Sequence, residues 1–110
     1  MKNKIILSGK VCKNPDRKLS PYGIAHCQFI IEHKSKQIEA NLFRQAWCKI
    51  IVMISGNNHE AINYDFTIGT ELIVQGFINT HKARYGFNKI VLHAEKIILI
   101  DFRGKNDTLF

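Results

Sequence analysis

The sequence predicts an all-β fold, five strands closed into a small Greek-key barrel, on three observations. Apolar and polar residues alternate with period two, the apolar runs are rich in Ile and Val, and only one segment has helical character. With 110 residues the chain makes a single domain with one modest core. A flat five-stranded sheet would expose two edges and one apolar face, and closure into a barrel removes both liabilities.

Residues 4–13, KIILSGKVCK, predict the first strand, with Gly9 marking a bend, a bulge or a close backbone approach. NPDRKLSPYG, residues 14–23, predicts a loop, because Pro15, Pro21 and Gly23 interrupt any regular run. In 25–33, AHCQFIIEH, Cys27, Phe29 and Ile31 point one way and His26, Gln28 and Glu32 the other; Ile30 is out of place on that polar face. KSKQIEAN is a polar connection of mixed charge. LFRQAWCKIIVMIS, residues 42–55, is long and β-branched, which favours strand over helix. GNNHEAINYDF, residues 56–66, is the one plausible helical piece, with Asn for a cap and a turn or two around Glu60, Ala61 and Ile62. A turn at Gly69 precedes a fourth strand over about 71–79, and the last strand runs from about 88 to 100. Gly76, like Gly9, suits the sharp bends of a small barrel. These elements fit the OB type of five-stranded Greek-key barrel, with a long β-hairpin between strands four and five. The domain is expected to span residues 1–101, and 102–110 to be a short polar tail with a frayed end.

The formal charge of +7, from 16 Lys and Arg against 9 Asp and Glu, creates a field that attracts nucleic acid, acidic proteins or anionic lipid. Three cysteines, Cys12, Cys27 and Cys48, lie inside apolar runs with no CxxC spacing, which argues against a disulfide framework or a zinc ribbon. The apolar stretch at the N-terminus is too short for a signal-peptide core, and no run approaches the roughly 20 apolar residues needed to span a bilayer. A cytoplasmic location follows as the expectation. The five histidines show no metal-site spacing, and His26 and Cys27, as neighbours in one strand, point to opposite faces. The acids are scattered, with no paired carboxylates and no nucleophile elbow, so neither an enzyme nor a cofactor is expected.

The segment INTHKARYGFNKIVL, residues 78–92, carries His81, Lys82, Arg84 and Lys89, and no Asp or Glu occurs anywhere in 72–94. Ordinary surfaces mix both signs. A single nucleic-acid strand offers phosphates and exposed base faces, and binding it without sequence preference takes point charges for the first and flat rings for the second. Lys82, Arg84 and Lys89 supply the charges and Tyr85 a ring; Phe87 either joins them or covers the barrel rim. Trp47, the single tryptophan, shares a face with Lys49 and Ile51. That company suggests an at least partly outward position, where the indole can stack on a base, and on the residues alone a core or dimer-interface position stays equally open. Arg44 can add a phosphate contact or a cation–π contact. Lys10, Lys13, Arg17 and Lys18 cluster at the first loop, where Arg17 can also pair with Asp16, and Lys34 and Lys36 have Glu32 and Glu39 nearby.

HCQFIIEHKS, FRQAWCKIIV, VQGFI and KIVLHAE resemble the corresponding stretches of the primosomal replication protein N (PriB) family, relatives of the bacterial single-stranded DNA-binding proteins, from about Leu7 to Asp101. The resemblance implies an OB-fold homodimer that binds single-stranded DNA without sequence preference and acts in replication restart. It also implies association with the helicase PriA and recruitment of DnaT, with no catalytic activity. Carried over residue by residue, it implies nucleic-acid contacts at Trp47, Lys82, Arg84 and Lys89, and at Arg44, Lys18 and Lys34. The family pattern has an aromatic at the position of Leu42, whereas this chain has Phe43 one place later. A shift of one residue in a strand reverses the face. So either Phe43 lies in a loop that still presents it, or one stacking platform is lost. Two other functions compete: a protein adaptor in the primosome with weak nucleic-acid binding, and an RNA-binding OB module. Ile6, Val11, Ile30 and Ile97 are candidates for an apolar dimer surface, which alternation does not separate from a barrel interior.

Overall fold

The computed structural model describes residues 1–56 and 66–100, together with the backbone of 106–108. Its strands are β1 (Ile5–Leu19), β2 (Ala25–Glu39), β3 (Leu42–Ser55), β4 (Glu71–His81), β5 (Lys89–Ile100) and β6 (Asn106–Thr108). They pair in the order β3-β2-β1-β4-β5-β6, and β3 also pairs with β5 in parallel from Ile51–Val91 to Met53–His93, which closes β1–β5 into a barrel. β1 serves two neighbours: Ile5–Lys10 pairs with β4, and Lys10–Leu19 pairs with β2.

Two glycines permit the closure. A Cβ at Gly9 would lie 2.6 Å from the Glu32 carbonyl oxygen, where β1 passes from one neighbour to the other. A Cβ at Gly76 would fall on the His93 carbonyl, beside the register shift between β4 and β5. Only a residue without a side chain allows backbones to approach so closely.

The alternation expected in β2 fills the barrel. Cys27, Phe29 and Ile31 are buried with Val52 and Ile54 of β3, Leu72 and Val74 of β4, and Leu92 and Ile97 of β5. Phe66 stacks on Phe29 with ring centroids 4.8 Å apart. Burial pushes the Cys27 thiol above its ordinary pKa, partly offset by Arg17. Val11 and Ile97, offered above as dimer surface, belong to this core, whereas Ile6 is 59% exposed.

Three boundaries differ from the sequence expectation. β1 continues through 14–19, where a loop was expected, because register shifts between Val11 and Asp16 leave Pro15 out of the ladder and so remove the need for its missing N–H. β2 continues through 34–39, where a polar connection was expected. Ala40 and Asn41 both have positive φ (52° and 63°), the two-residue turn that matches strand twist and lets β2 and β3 pair to their ends. The third difference is in the tail: within the segment expected to fray, the backbone of 106–108 pairs with Ile98–Ile100 along the open edge of β5. The expected helical piece falls largely on 57–65, outside the described residues.

Candidate nucleic-acid interface

β2 and β3 pair without a slip from His26–Ser55 to Glu39–Leu42. The pairs Cys27–Ile54, Phe29–Val52 and Ile31–Ile50 face the core, so the alternate pairs Gln28–Met53, Ile30–Ile51, Glu32–Lys49, Lys34–Trp47, Lys36–Gln45 and Ile38–Phe43 form the outer face. Past Ile31 and Ile50 no residue of the two strands is buried, so the pair continues as a two-stranded ribbon reaching beyond the barrel. The outer face extends onto β1 through the pairs Asp16–Gln28 and Lys18–His26.

This register decides where the expected residues go. Trp47 is outward and 58% exposed. Phe43 lies in a strand rather than a loop, is 81% exposed, and shares the face of Trp47, while Leu42 points to the other side. The displaced aromatic therefore joins the tryptophan instead of being lost from the ribbon. Lys34 lies directly opposite Trp47, and Lys18 is on the same outer face, 3.6 Å from Asp16 in an exposed and therefore weak ion pair. Asp16 thus has Lys18 beside it as well as Arg17. Arg44 is not brought to this face: it lies opposite Gln37 on the reverse side, 4.0 Å from Glu39 Oε1. Lys36 and Lys49 complete the basic outer face. Lys49 is legible from its parity with Trp47, whereas Lys36 sits in a segment whose polar composition is that of a connection.

The Trp47 ring is held at its edge. Its Nε1–H donates to Glu32 Oε2 at 3.0 Å. That hydrogen bond, helped by Lys34, Lys49 and Lys10, lowers the Glu32 carboxyl below its ordinary pKa.

The β4–β5 hairpin is built differently. His81 and Lys89 form its last pair, and the loop 82–88 is closed by the Ala83 N–H donating to Asn88 Oδ1 at 3.2 Å, with Gly86 supplying a φ of 85°. Tyr85 and Phe87 are 90% and 94% exposed, so Phe87 does not cover the barrel rim. Among the described residues Lys82, Arg84 and Lys89 make no ion pair, whereas Lys10, Lys18 and Arg44 each do. Beneath the loop, His93 stacks between Phe77 (centroids 4.9 Å, planes 9° apart) and His81 (5.1 Å), and the two histidine Nε2 atoms lie 2.9 Å apart. Burial, and then the neighbouring His81, lower the pKa of His93.

Among the described residues no helix is long and apolar enough to cross a membrane. Residues 3–96 match the model of a family described as another single-strand binding protein family. The replication restart protein PriB of Serratia proteamaculans is 59% identical over 99 residues, covering 90% of this chain and 94% of that protein. In shape, the chain is similar to the dimeric N-terminal domain of PriB from Thermoanaerobacter tencongensis (TM-score 0.65, 18% identity, 90% of this chain and 97% of that one). It is also similar to the Plasmodium falciparum SSB solved in complex with ssDNA (TM-score 0.71, 23% identity, 92% and 96%). Both likenesses extend over most of the chain and bear out the OB-type barrel. With most of its length matched by that family model and by a relative of this identity, the chain belongs to the single-strand binding protein family and, within it, to the PriB replication restart proteins.

Proposed function

We propose that this chain binds single-stranded DNA without sequence preference during replication restart, and has no catalytic role of its own. The outer face of β1–β3 and the β4–β5 hairpin carry the interaction. One observation supports this above others: Trp47 and Phe43 stand exposed on a single basic face, while Lys82, Arg84 and Lys89 remain unneutralised among the described residues. Rings on a rigid ribbon take the bases, and uncapped cations take the phosphates. Lys18, Lys34 and Tyr85 extend the track. Arg44, on the reverse side of the ribbon, meets only a strand that wraps round it.

The protein acts as a homodimer in the cytoplasm, with the helicase PriA and with DnaT as partners. Self-association is favoured by the edge of β1 from Ile5 to Gly9, which has β4 on one side and no strand on the other among the described residues. About three phosphates neutralised per protomer, six per dimer, give an affinity that falls by roughly four decades per decade of salt. Titration of a labelled oligonucleotide at two salt concentrations, with mass followed, tests affinity, slope and stoichiometry together. A flat salt response with no complex at low salt would sink this reading. Capture of PriA with and without DNA separates it from a pure adaptor, whose capture ignores DNA. Competition between DNA and RNA of equal length separates it from an RNA-binding module.

A further inference from the structure

The one acid on the ribbon's outer face lies against the tryptophan. Glu32 pairs with Lys49, and Trp47 pairs with Lys34, so Glu32 and Trp47 are diagonal neighbours across β2 and β3. Placing a carboxylate on a surface that meets phosphates weakens the field, so a role for Glu32 must come from something other than charge. The hydrogen bond supplies it. An indole N–H lies in the plane of its ring, so the 3.0 Å bond from Trp47 Nε1 to Glu32 Oε2 grips the ring by its edge and occupies neither face. Lys34, Lys49 and Lys10 surround the carboxyl and, with that bond, keep it ionised as an acceptor. An exposed tryptophan without such a tether would sample several rotamers and lose that freedom on stacking.

We propose that Glu32 is a positioning residue for nucleic-acid binding: its carboxylate fixes the Trp47 indole, before DNA arrives, in the orientation that accepts a base. The proposal rests on the reading above that Trp47 stacks on DNA. Its test compares Glu32→Gln with Glu32→Ala. Both remove the same negative charge, and the glutamine keeps an oxygen that accepts from the indole while the alanine does not.

Trp47 is the single tryptophan, so the decay of tryptophan fluorescence anisotropy in the free protein reports this ring alone. Glu32→Ala is expected to free the ring, with Glu32→Gln holding it close to the wild-type range. In oligonucleotide titrations Glu32→Ala should bind roughly three- to tenfold more weakly than Glu32→Gln, with the two salt slopes equal. In a Trp47→Phe background, where no N–H remains, the two Glu32 variants should bind alike. Equal ring mobility and affinity for Glu32→Gln and Glu32→Ala would overturn the proposal, and so would a gap between them that persists without the indole. Wild-type affinity in Trp47→Ala would instead sink the stacking reading, and with it the purpose of the contact. Impaired Trp47→Ala beside matched Glu32 variants removes the positioning role and leaves stacking in place.

Discussion

The β2–β3 ribbon and the β4–β5 hairpin both project from one barrel, and they are built in opposite ways. On the ribbon, every side chain is placed by an unbroken ladder, the ring of Trp47 is held by Glu32, and lysines share the face with an acid. At the tip of the hairpin the ladder has ended, one side-chain bond closes the loop, and three cations and two rings stand without an acidic partner among the described residues. In the proposed reading the ribbon supplies geometry and the hairpin supplies field. Stacking a base requires a ring at a fixed angle, whereas attracting a phosphate requires only charge within a Debye length. The unbroken pairing thus lies under the rings of the ribbon, and the cations of the hairpin tip stand past the end of theirs.

Removing the field has the largest expected effect. Lys82, Arg84 and Lys89 replaced together by Ala should make the salt slope shallower by about two per protomer and about four for the dimer, which at roughly 0.1 M salt is a loss of about four decades of affinity for single-stranded DNA. Fluorescence titration over a range of salt measures both. Trp47→Ala should lose ~1–3 kcal/mol and leave the slope where it was. If instead the slope moved with the ring and stayed fixed without the charges, the division of labour would be broken. Phe43→Ala sharpens the ribbon half of the comparison. It should lose about 1 kcal/mol, whereas Leu42→Ala, on the reverse side, should be silent in the same titration. Equal losses would mean that the face assignment fails.

The smallest effect concerns the hairpin stem, whose histidine pair is its counterpart to the Glu32–Trp47 bond. The pKa of His93 is lowered in the folded state, so the unfolded chain takes up the proton more readily. Stability is then fully present above the ordinary histidine value of 6.5 and declines as the pH falls from there toward the lower folded value. Thermal unfolding across that window should show the decline, and His93→Phe, which keeps a ring against Phe77, should flatten it. An unchanged pH profile in that variant would assign the decline to other groups.

Much of the barrel was legible because a half-buried strand writes its face into alternate residues. Cys27, Phe29 and Ile31 alternate onto one face and form part of the core. The ends of strands were not legible. Residues 34–39 have no core to face, so their composition is that of a connection, and only pairing with β3 through the turn at Ala40 and Asn41 makes them a strand. Phe43 lies outside that segment, within the strand expected over 42–55. Parity with Trp47 within that strand puts both rings on one face, and the pairing with β2 bears it out. In β1, Pro15 reads as a terminator and is accommodated by a register shift that leaves no local mark. The contact between Glu32 and Trp47 joins residues 15 apart in the chain, and it exists only in the register that the turn sets. The charges of 78–92 were visible at once because the absence of acids is a property of the sequence itself, and no fold is needed to see it.

The most direct measurement uses the single tryptophan as its own reporter. Unlabelled single-stranded oligonucleotide is titrated into the wild-type protein at low and at high salt while the emission of Trp47 is followed. Saturable quenching at low salt, reaching the same endpoint but at far higher oligonucleotide concentration at high salt, is the predicted result: the ring meets the bases, and the charges govern how tightly. Binding that saturates by mass with the emission of Trp47 unchanged would place DNA elsewhere on the molecule and contradict the account.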